Sequence, residues 1–465
     1  MFRLLAMAPV HNNNSTPQRQ LLRILGAGFG LAAVVGGTVG VGILHLPGTV
    51  AAELGNFWLI LAVWVIGGLY TLLGAISVAE LAAMLPQAGG FYVYAKRAFG
   101  NLTGFSVGWG DWMNNCSTLA YASYAAAEYL KALVPAFPGS PKIIALTLLA
   151  FFAALHWTGL RVGSLAQKLT SSATAITLLV LAVACFLYRA PAHAVSSENI
   201  TVVPAIFRSN LGVASLLAAF VIALRSVIVT YDGWYEPIYF AEEDTNPARH
   251  LPRVLIGGVL LVIGLYLTLN LAFLRVLPIP ILAASKLPAA DAAQMVFASW
   301  SGKFVTLLSL LTLLSLLNCV LLGTPRILYA IGRDGLFTER ASRVSAGGTP
   351  RPAMLMSVGV AVLLVALGTF EKIVAIAAVL FVAIYCVSYA AVFVLRWKAP
   401  ALDRPFHAWG YPWTTAIVLL GSLLFLAGAA VSDPRNTLYG VILLAASVPV
   451  YFWKKRSRAG APASP

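Results

Sequence analysis

The residues of this chain with the most chemical potential are glycines and their neighbours, in two segments that interrupt long apolar runs. GGTVGVGILHLPG occupies 36–48 and VTYDGWYEPIYFAEEDTNPARHLPR occupies 229–253. A helix that unwinds there frees backbone N–H and C=O groups, which a bilayer tolerates only where they line a cavity or bind something. Freed amides and the positive end of a half-helix suit an anionic group, and freed carbonyls suit a cation. An amino acid carries both charges. On this reading the amides of Val41, Gly42 and Ile43 hold a carboxylate, and the carbonyl of Thr38 holds an ammonium. Gly36 and Gly40 also form a GxxxG, whose other use is a close helix crossing. What favours unwinding is that Gly40-Val41-Gly42 lies mid-span, is followed by Pro47-Gly48, and has a partner break elsewhere in the chain.

The second segment adds ionisable side chains. Arg225, Asp232 and Glu236 fall within one apolar run, where each is costly and functional by default. Arg225 and Asp232 are seven residues apart, two turns on one face of a continuous helix, so mutual pairing is expected; Glu236 precedes Pro237, where a second half-helix should resume. Glu80, Asp111 and Glu128 are read as polar contacts between helices, and His45 as either an interfacial side chain or a gating or proton-carrying one. Cys116, Cys185, Cys319 and Cys386 lie in apolar runs without a CxxC pair or nearby histidines, which suits packing rather than disulfides or metal.

These residues need a membrane around them. The 465 residues are 60% hydrophobic and 10% charged, and windows of about 20 apolar residues, enough to cross roughly 30 Å of hydrocarbon, recur about twelve times. The expected spans are 21–54, 57–85, 101–131, 141–159, 163–188, 211–242, 252–277, 301–332, 353–369, 373–395, 411–432 and 435–453. With the N-terminus inside, about 21 of the 31 Lys and Arg flank the inner span ends, which puts both ends in the cytoplasm by the positive-inside rule. The first 20 residues, with an apolar stretch too short for a signal peptide, and 455–465 are expected to be cytoplasmic tails around a single transmembrane domain, 21–454. A net charge of +15 raises nucleic acid as a partner, but its cations are spread over many short loops rather than gathered in one stripe. The breaks fall in the first and sixth expected spans, equivalent places in two five-span units (21–188 and 211–395), a pointer to inverted repeats followed by two extra helices at 411–453. A pore would show a continuous polar stripe or charged ring, and an enzyme a nucleophile-and-base or metal constellation. The sequence displays none of these, so neither catalysis nor a cofactor is expected.

Four stretches together carry a family resemblance: GGTVGVGILHLPG, YDGWYEPIYFAEEDTNPARHLPR, LLNCVLLGTPRILYAIGRDGLF and the end from PWTTAIVLLGSLLF to VPVYFWKK. The chain resembles the amino acid–polyamine–organocation superfamily, in particular its L-amino-acid-transporter-like permeases, over nearly its whole length. The resemblance implies an all-α, LeuT-like fold of two inverted five-helix repeats with broken first and sixth helices, and alternating access of a small amino acid at mid-membrane. It implies that Gly40, Val41 and Gly42 bind carboxylate and that the carbonyls of Thr38, Val229, Thr230 and Asp232 bind ammonium. Tyr231 and Trp234 become a hydrophobic roof, and Ser315, Asn318 and Cys319 lining groups. Val41 stands where Ser or Ala is common, and Val229 where a gating aromatic is common, which implies a differently built outer gate. Thr174 stands where many relatives carry a lysine in place of bound sodium.

The expected function is therefore secondary transport of L-amino acids, neutral ones favoured, by exchange or proton-assisted uptake in a bacterial inner membrane. The alternatives are a polyamine or cationic amino acid exchanger, which the scarcity of acidic residues near the site and Arg225 disfavour, and a sodium-coupled symporter using Ser171, Ser172, Thr174 and Ser315. The expected partners are the amino acid and the lipid bilayer, with self-association open.

Overall fold

The computed structural model describes residues 20–189, 212–368 and 370–459, so most of both expected tails lies outside the described residues. Its secondary structure is helical throughout, apart from one isolated bridge between Leu25 and Asp244. The first expected span is two helices, α1 (Ala27–Thr38) and α2 (Gly42–Leu54), bent by 49° at the glycine break. Gly55, in the left-handed conformation at φ 56°, stops α2, and the Asn56 side chain accepts from the amides of Trp58 and Leu59 to start α3 (Phe57–Met84). The return is thereby compressed into two residues.

The chain continues through α4 (Phe91–Phe99), α5 (Asn101–Leu133), α6 (Pro141–Trp157) and α7 (Leu160–Leu187). After residue 212 come α8 (Val213–Thr230), an irregular turn, and a 3-10 helix over Glu236–Glu243. Then follow α9 (Pro247–Val276), α10 (Ile279–Ala284), α11 (Pro288–Phe297), α12 (Ser301–Arg333), α13 (Arg351–Leu367), α14 (Phe370–Lys398), α15 (Trp413–Ser432), α16 (Pro434–Ala445) and α17 (Ser447–Ala459). Every expected span has helix at its position. Among the described residues eight are long and apolar enough to cross a membrane, or nine when α1 and α2 count as one bent span.

Three helices were not expected: α4, α10 and α11, all too short to span. The sixth span also differs, because after Pro237 the chain resumes as a 3-10 helix rather than an α-helix. At about 2.0 Å per residue instead of 1.5 Å, that winding stretches the segment toward α9 and delivers Glu243 to its partner on α12.

The layers follow polarity. Outward faces of α7 and α8 present Leu169, Ile176, Leu187 and Leu217, each more than half exposed, as suits contact with lipid. Inside, α1 packs against α7, α9 and α12, α3 against α9 and α8, and α5 along α12. The helix α5 is less apolar than its neighbours, with Asp111, Asn114, Asn115, Ser117 and Ser123 on its buried face. In a bilayer such side chains turn to the bundle interior, and here Asp111 bonds Tyr239 just beyond the second break.

Candidate functional site

The break between α1 and α2 begins where Val39 leaves helical geometry at ψ 86°. The Gly40 amide turns back to the Thr38 carbonyl at 2.9 Å. The amides of Val41, Gly42 and Ile43 donate to no acceptor among the described residues. Every helix start leaves free donors, but this one sits inside a membrane span, with Ile43 fully buried and Val41 and Gly42 half-buried. A methyl group added at Gly40 would meet nothing within 4 Å, and one at Gly42 would come to 3.3 Å from the Thr230 methyl of the other break. The three free amides thus lie beside the end of α8.

The two breaks touch through their backbones. Gly233 has φ 96°, and a Cβ there would stand 2.2 Å from the Gly37 carbonyl oxygen. Only glycine meets both demands. A second link is Tyr266 of α9, whose buried hydroxyl lies 2.9 Å from the Thr38 carbonyl and 3.2 Å from the Thr230 carbonyl. One O–H proton serves one acceptor well, so the pair of carbonyls retains acceptor capacity between the breaks. Tyr266 was not singled out from the sequence, where it is one tyrosine in an apolar span. Its ring packs with Tyr231 at 5.0 Å and Trp64 at 5.8 Å, and Tyr231 packs with Trp64 at 5.9 Å.

The second break is crowded with rings and carboxyls. Asp232 accepts from the Tyr385 hydroxyl of α14, and Trp234 stacks on the same tyrosine at 5.9 Å. Glu236 is 2% exposed and its Oε2 atom has no partner. A Cβ at Gly37 would lie 2.6 Å from its Cγ, and one at Gly323 of α12 would lie 2.9 Å from its Oε2, so the carboxyl is held between the first break and α12. Asp111 of α5 accepts from Tyr239 at 2.8 and 3.0 Å and from Asn115 at 3.0 Å. No ion pair reaches Asp111, Asp232 or Glu236 among the described residues. The inter-helix contacts expected of Glu80 and Asp111 are present, Glu80 bonding Arg396 of α14, whereas Glu128 is exposed.

The expected Arg225–Asp232 pair does not form. Arg225 is exposed, reaches Ser432 of α15 at 3.3 Å and lies 5.4 Å from the Phe425 ring. Seven residues put two side chains on one face only of a continuous helix, and α8 ends at Thr230, after which Gly233 turns the chain. Val229, also exposed at 46%, faces away from Asp232, and its carbonyl accepts from the Asp232 amide at 3.3 Å.

Ser315, Asn318 and Thr174 belong to a separate seam where α1, α7 and α12 meet. Asn318 donates to Gln167 Oε1 at 2.7 Å, Gln167 donates to Ser171 at 2.8 Å, and Ser171 bonds Ser315 at 3.1 Å and the Ala32 carbonyl at 2.7 Å. The hydroxyl of Thr174 is buried without a partner. This seam presses on Gly36, where a Cβ would lie 1.9 Å from Gln167 Nε2, one turn before the Gly40–Gly42 opening. Gln167 was missed in the sequence; its only signal there is an amide within the polar stretch 164–172 of an otherwise apolar span. His45 bonds the Lys286 carbonyl at 3.1 Å, which suits the interfacial reading of that side chain.

Beyond the site, at the Lys- and Arg-rich end, the bundle is tied shut. The Arg326 guanidinium grips Glu243 at 2.9 and 3.0 Å with both side chains buried, Arg333 meets Glu242 at 2.7 Å, and Lys96 meets Asp334 at 2.6 Å. The segment before α1 joins this closure through the Ile24 and Leu25 amides, both 3.0 Å from the Glu243 carbonyl.

Comparison with known proteins finds amino acid transporters. The chain is 27% identical to the serine/threonine exchanger SteT of Bacillus subtilis (strain 168), over 96% of this chain and 99% of that one. It is 25% identical to the mouse b(0,+)-type amino acid transporter 1, over 91% of this chain and 86% of the transporter. With the mouse Asc-type amino acid transporter 1 it shares 24% identity, over 91% and 80%. A family model described as amino acid permease matches residues 29–450, and the chain, an integral membrane protein of many apolar helices, belongs to that amino acid permease family.

Proposed function

We propose that this permease carries a neutral L-amino acid across the bacterial inner membrane by alternating access, as twelve spans in two inverted five-helix repeats (21–188 and 211–395) with two further spans at 411–453, and with both ends in the cytoplasm. The observation that carries the reading is the pair of touching breaks: three unbonded amides at Val41, Gly42 and Ile43 face one side, and the carbonyls of Thr38 and Thr230 share one tyrosine hydroxyl on the other. The substrate carboxylate takes the amides and its ammonium takes the carbonyls of Thr38, Val229, Thr230 and Asp232. Tyr231 and Trp234 cover the apolar part. Ser315 and Asn318 act one step removed, by fixing the helix that carries Gly36.

Exchange is the favoured mode, in keeping with a relative named as a serine/threonine exchanger. Sodium independence is favoured by the family resemblance; Ser171 and Ser315 bond each other and, through Gln167, Asn318, while the Thr174 hydroxyl has no partner. One observation favours proton-assisted uptake as a second reading: Glu236, buried beside the Cys319 thiol and without an ion pair among the described residues, lies against the first break with Asp111 and Asp232 nearby. The discriminating experiment is uptake by purified protein in liposomes against a panel of amino acids, with internal amino acid, proton and sodium gradients imposed separately. Trans-stimulation without sodium dependence is expected; strong sodium drive lost in Thr174→Ala/Ser315→Ala would overturn the sodium-independent reading.

A further inference from the structure

A cavity of about 510 Å³ opens at the Lys- and Arg-rich end, between the first turns of α9 and the connection from α14 to α15, far from the two breaks. Its polar wall is Arg249 and Arg253, and its apolar wall is Ile256, Pro252, Phe406 and Trp409. Arg249 and Arg253 are one turn apart on α9 and both exposed, and neither guanidinium meets a carboxylate or a carbonyl among the described residues. Like charges at this spacing repel. The carboxylates around them are already engaged: Glu80 with Arg396 and Arg404, Glu242 with Arg333, Glu243 with Arg326, and Asp244 with His250. Asp403, the carboxylate of the α14–α15 connection, does not line the cavity.

The surroundings identify the membrane interface. Trp409, which lines the cavity, is 59% exposed, and Trp397 near the end of α14 and Trp413 at the start of α15 are 79% and 76% exposed, as aromatic side chains at headgroup level are. Up α9 from the arginines the same face carries Gly257, Leu260 and Gly264; Leu260 is half exposed, and a Cβ at either glycine would meet nothing within 4 Å. A shallow apolar groove thus leads from two unpaired guanidiniums into the hydrocarbon layer. We propose that this is a binding site for an anionic phospholipid, with the phosphate on Arg249 and Arg253, the headgroup against Trp409 and Phe406, and one acyl chain along Gly257, Leu260 and Gly264. Arginine forks suit phosphate oxygens, and basic pockets at this depth take anionic headgroups.

The test needs no transport. Purified protein is titrated with phosphatidylglycerol in mixed micelles and bound lipid is counted by native mass spectrometry, with phosphatidylcholine and inorganic phosphate in parallel. Arg249→Gln/Arg253→Gln is expected to weaken phosphatidylglycerol binding about thirtyfold, at about 1 kcal/mol per cation, without changing the melting temperature of lipid-free protein. Arg161→Gln/Lys168→Gln, which removes two cations elsewhere at the same end, should leave the affinity within twofold, and phosphatidylcholine should not compete. Equal loss in both double variants would overturn the site in favour of general surface charge. Inorganic phosphate competing as well as the lipid would overturn the lipid as ligand.

Discussion

The two helix breaks meet at the same point and are built in opposite ways. The first, Thr38 to Ile43, offers mainly backbone: two glycines and two valines between Thr38 and Ile43, and three amides without acceptors. The second, Tyr231 to Glu236, is filled with side chains, two carboxyls and three rings, packed against Tyr385 and Phe91. Backbone can recognise what all amino acids share, the carboxylate and ammonium. Side chains can distinguish one substrate from another, and carboxyls can also change charge. On the proposed reading the first break holds the carboxylate, carbonyls of both breaks share the ammonium, and selectivity and coupling fall to the side chains of the second.

The largest effects should come from blocking either break by volume. Gly42→Leu fills the space before Thr230 and should abolish uptake, with the protein still inserted. Gly233→Ala must place a Cβ against the Gly37 carbonyl at a φ that alanine resists, and should also abolish uptake, with a clear loss of thermal stability. Gly40→Ala, where a Cβ meets nothing, should keep the fold and lose no more than a few-fold in uptake. Measured uptake and melting temperature of the three variants separate blocked chemistry from lost structure.

Next in size is Glu236→Gln, which keeps shape and removes charge. If the second break carries the proton, uptake driven by an imposed proton gradient should fall about tenfold while exchange of internal for external amino acid persists. A fall in both together would make Glu236 a structural residue of the break. Tyr266→Phe removes the hydroxyl that holds the Thr38 and Thr230 carbonyls side by side and should raise the substrate dissociation constant roughly tenfold, near 1.4 kcal/mol, through their lost alignment. Equilibrium binding of labelled substrate reads that out. The smallest effect is expected for Arg225→Ala: uptake within twofold and no change in preference among alanine, glutamate and arginine, because the side chain faces Ser432 and Phe425 rather than the site.

Glycine and proline spacing in hydrophobic runs made both breaks legible, since few other residues let a buried backbone unwind. Periodicity alone could not show that α8 stops at Thr230, and the Arg225–Asp232 pairing failed for that reason: the two-turn spacing assumed a helix that Gly233 ends. Tyr266 and Gln167 were invisible for a different reason. Each lies in a helix whose sequence signals only a span, and its importance comes from neighbours more than 100 positions away, Thr38 for one and Ala32 for the other. The short helices α4, α10 and α11 lie at or between span ends, where hydrophobic length carries no signal.

The central claim, that the amides of the first break hold the substrate carboxylate, is tested most directly by equilibrium binding to the purified protein. An L-amino acid that is transported should be compared with the amine that lacks its carboxylate, in the unmodified protein and in Gly42→Leu. The account predicts at least hundredfold weaker binding of the amine to the unmodified protein, and no measurable binding of either compound to a folded Gly42→Leu variant. Equal binding of amine and amino acid, or normal amino acid affinity in Gly42→Leu, would contradict it.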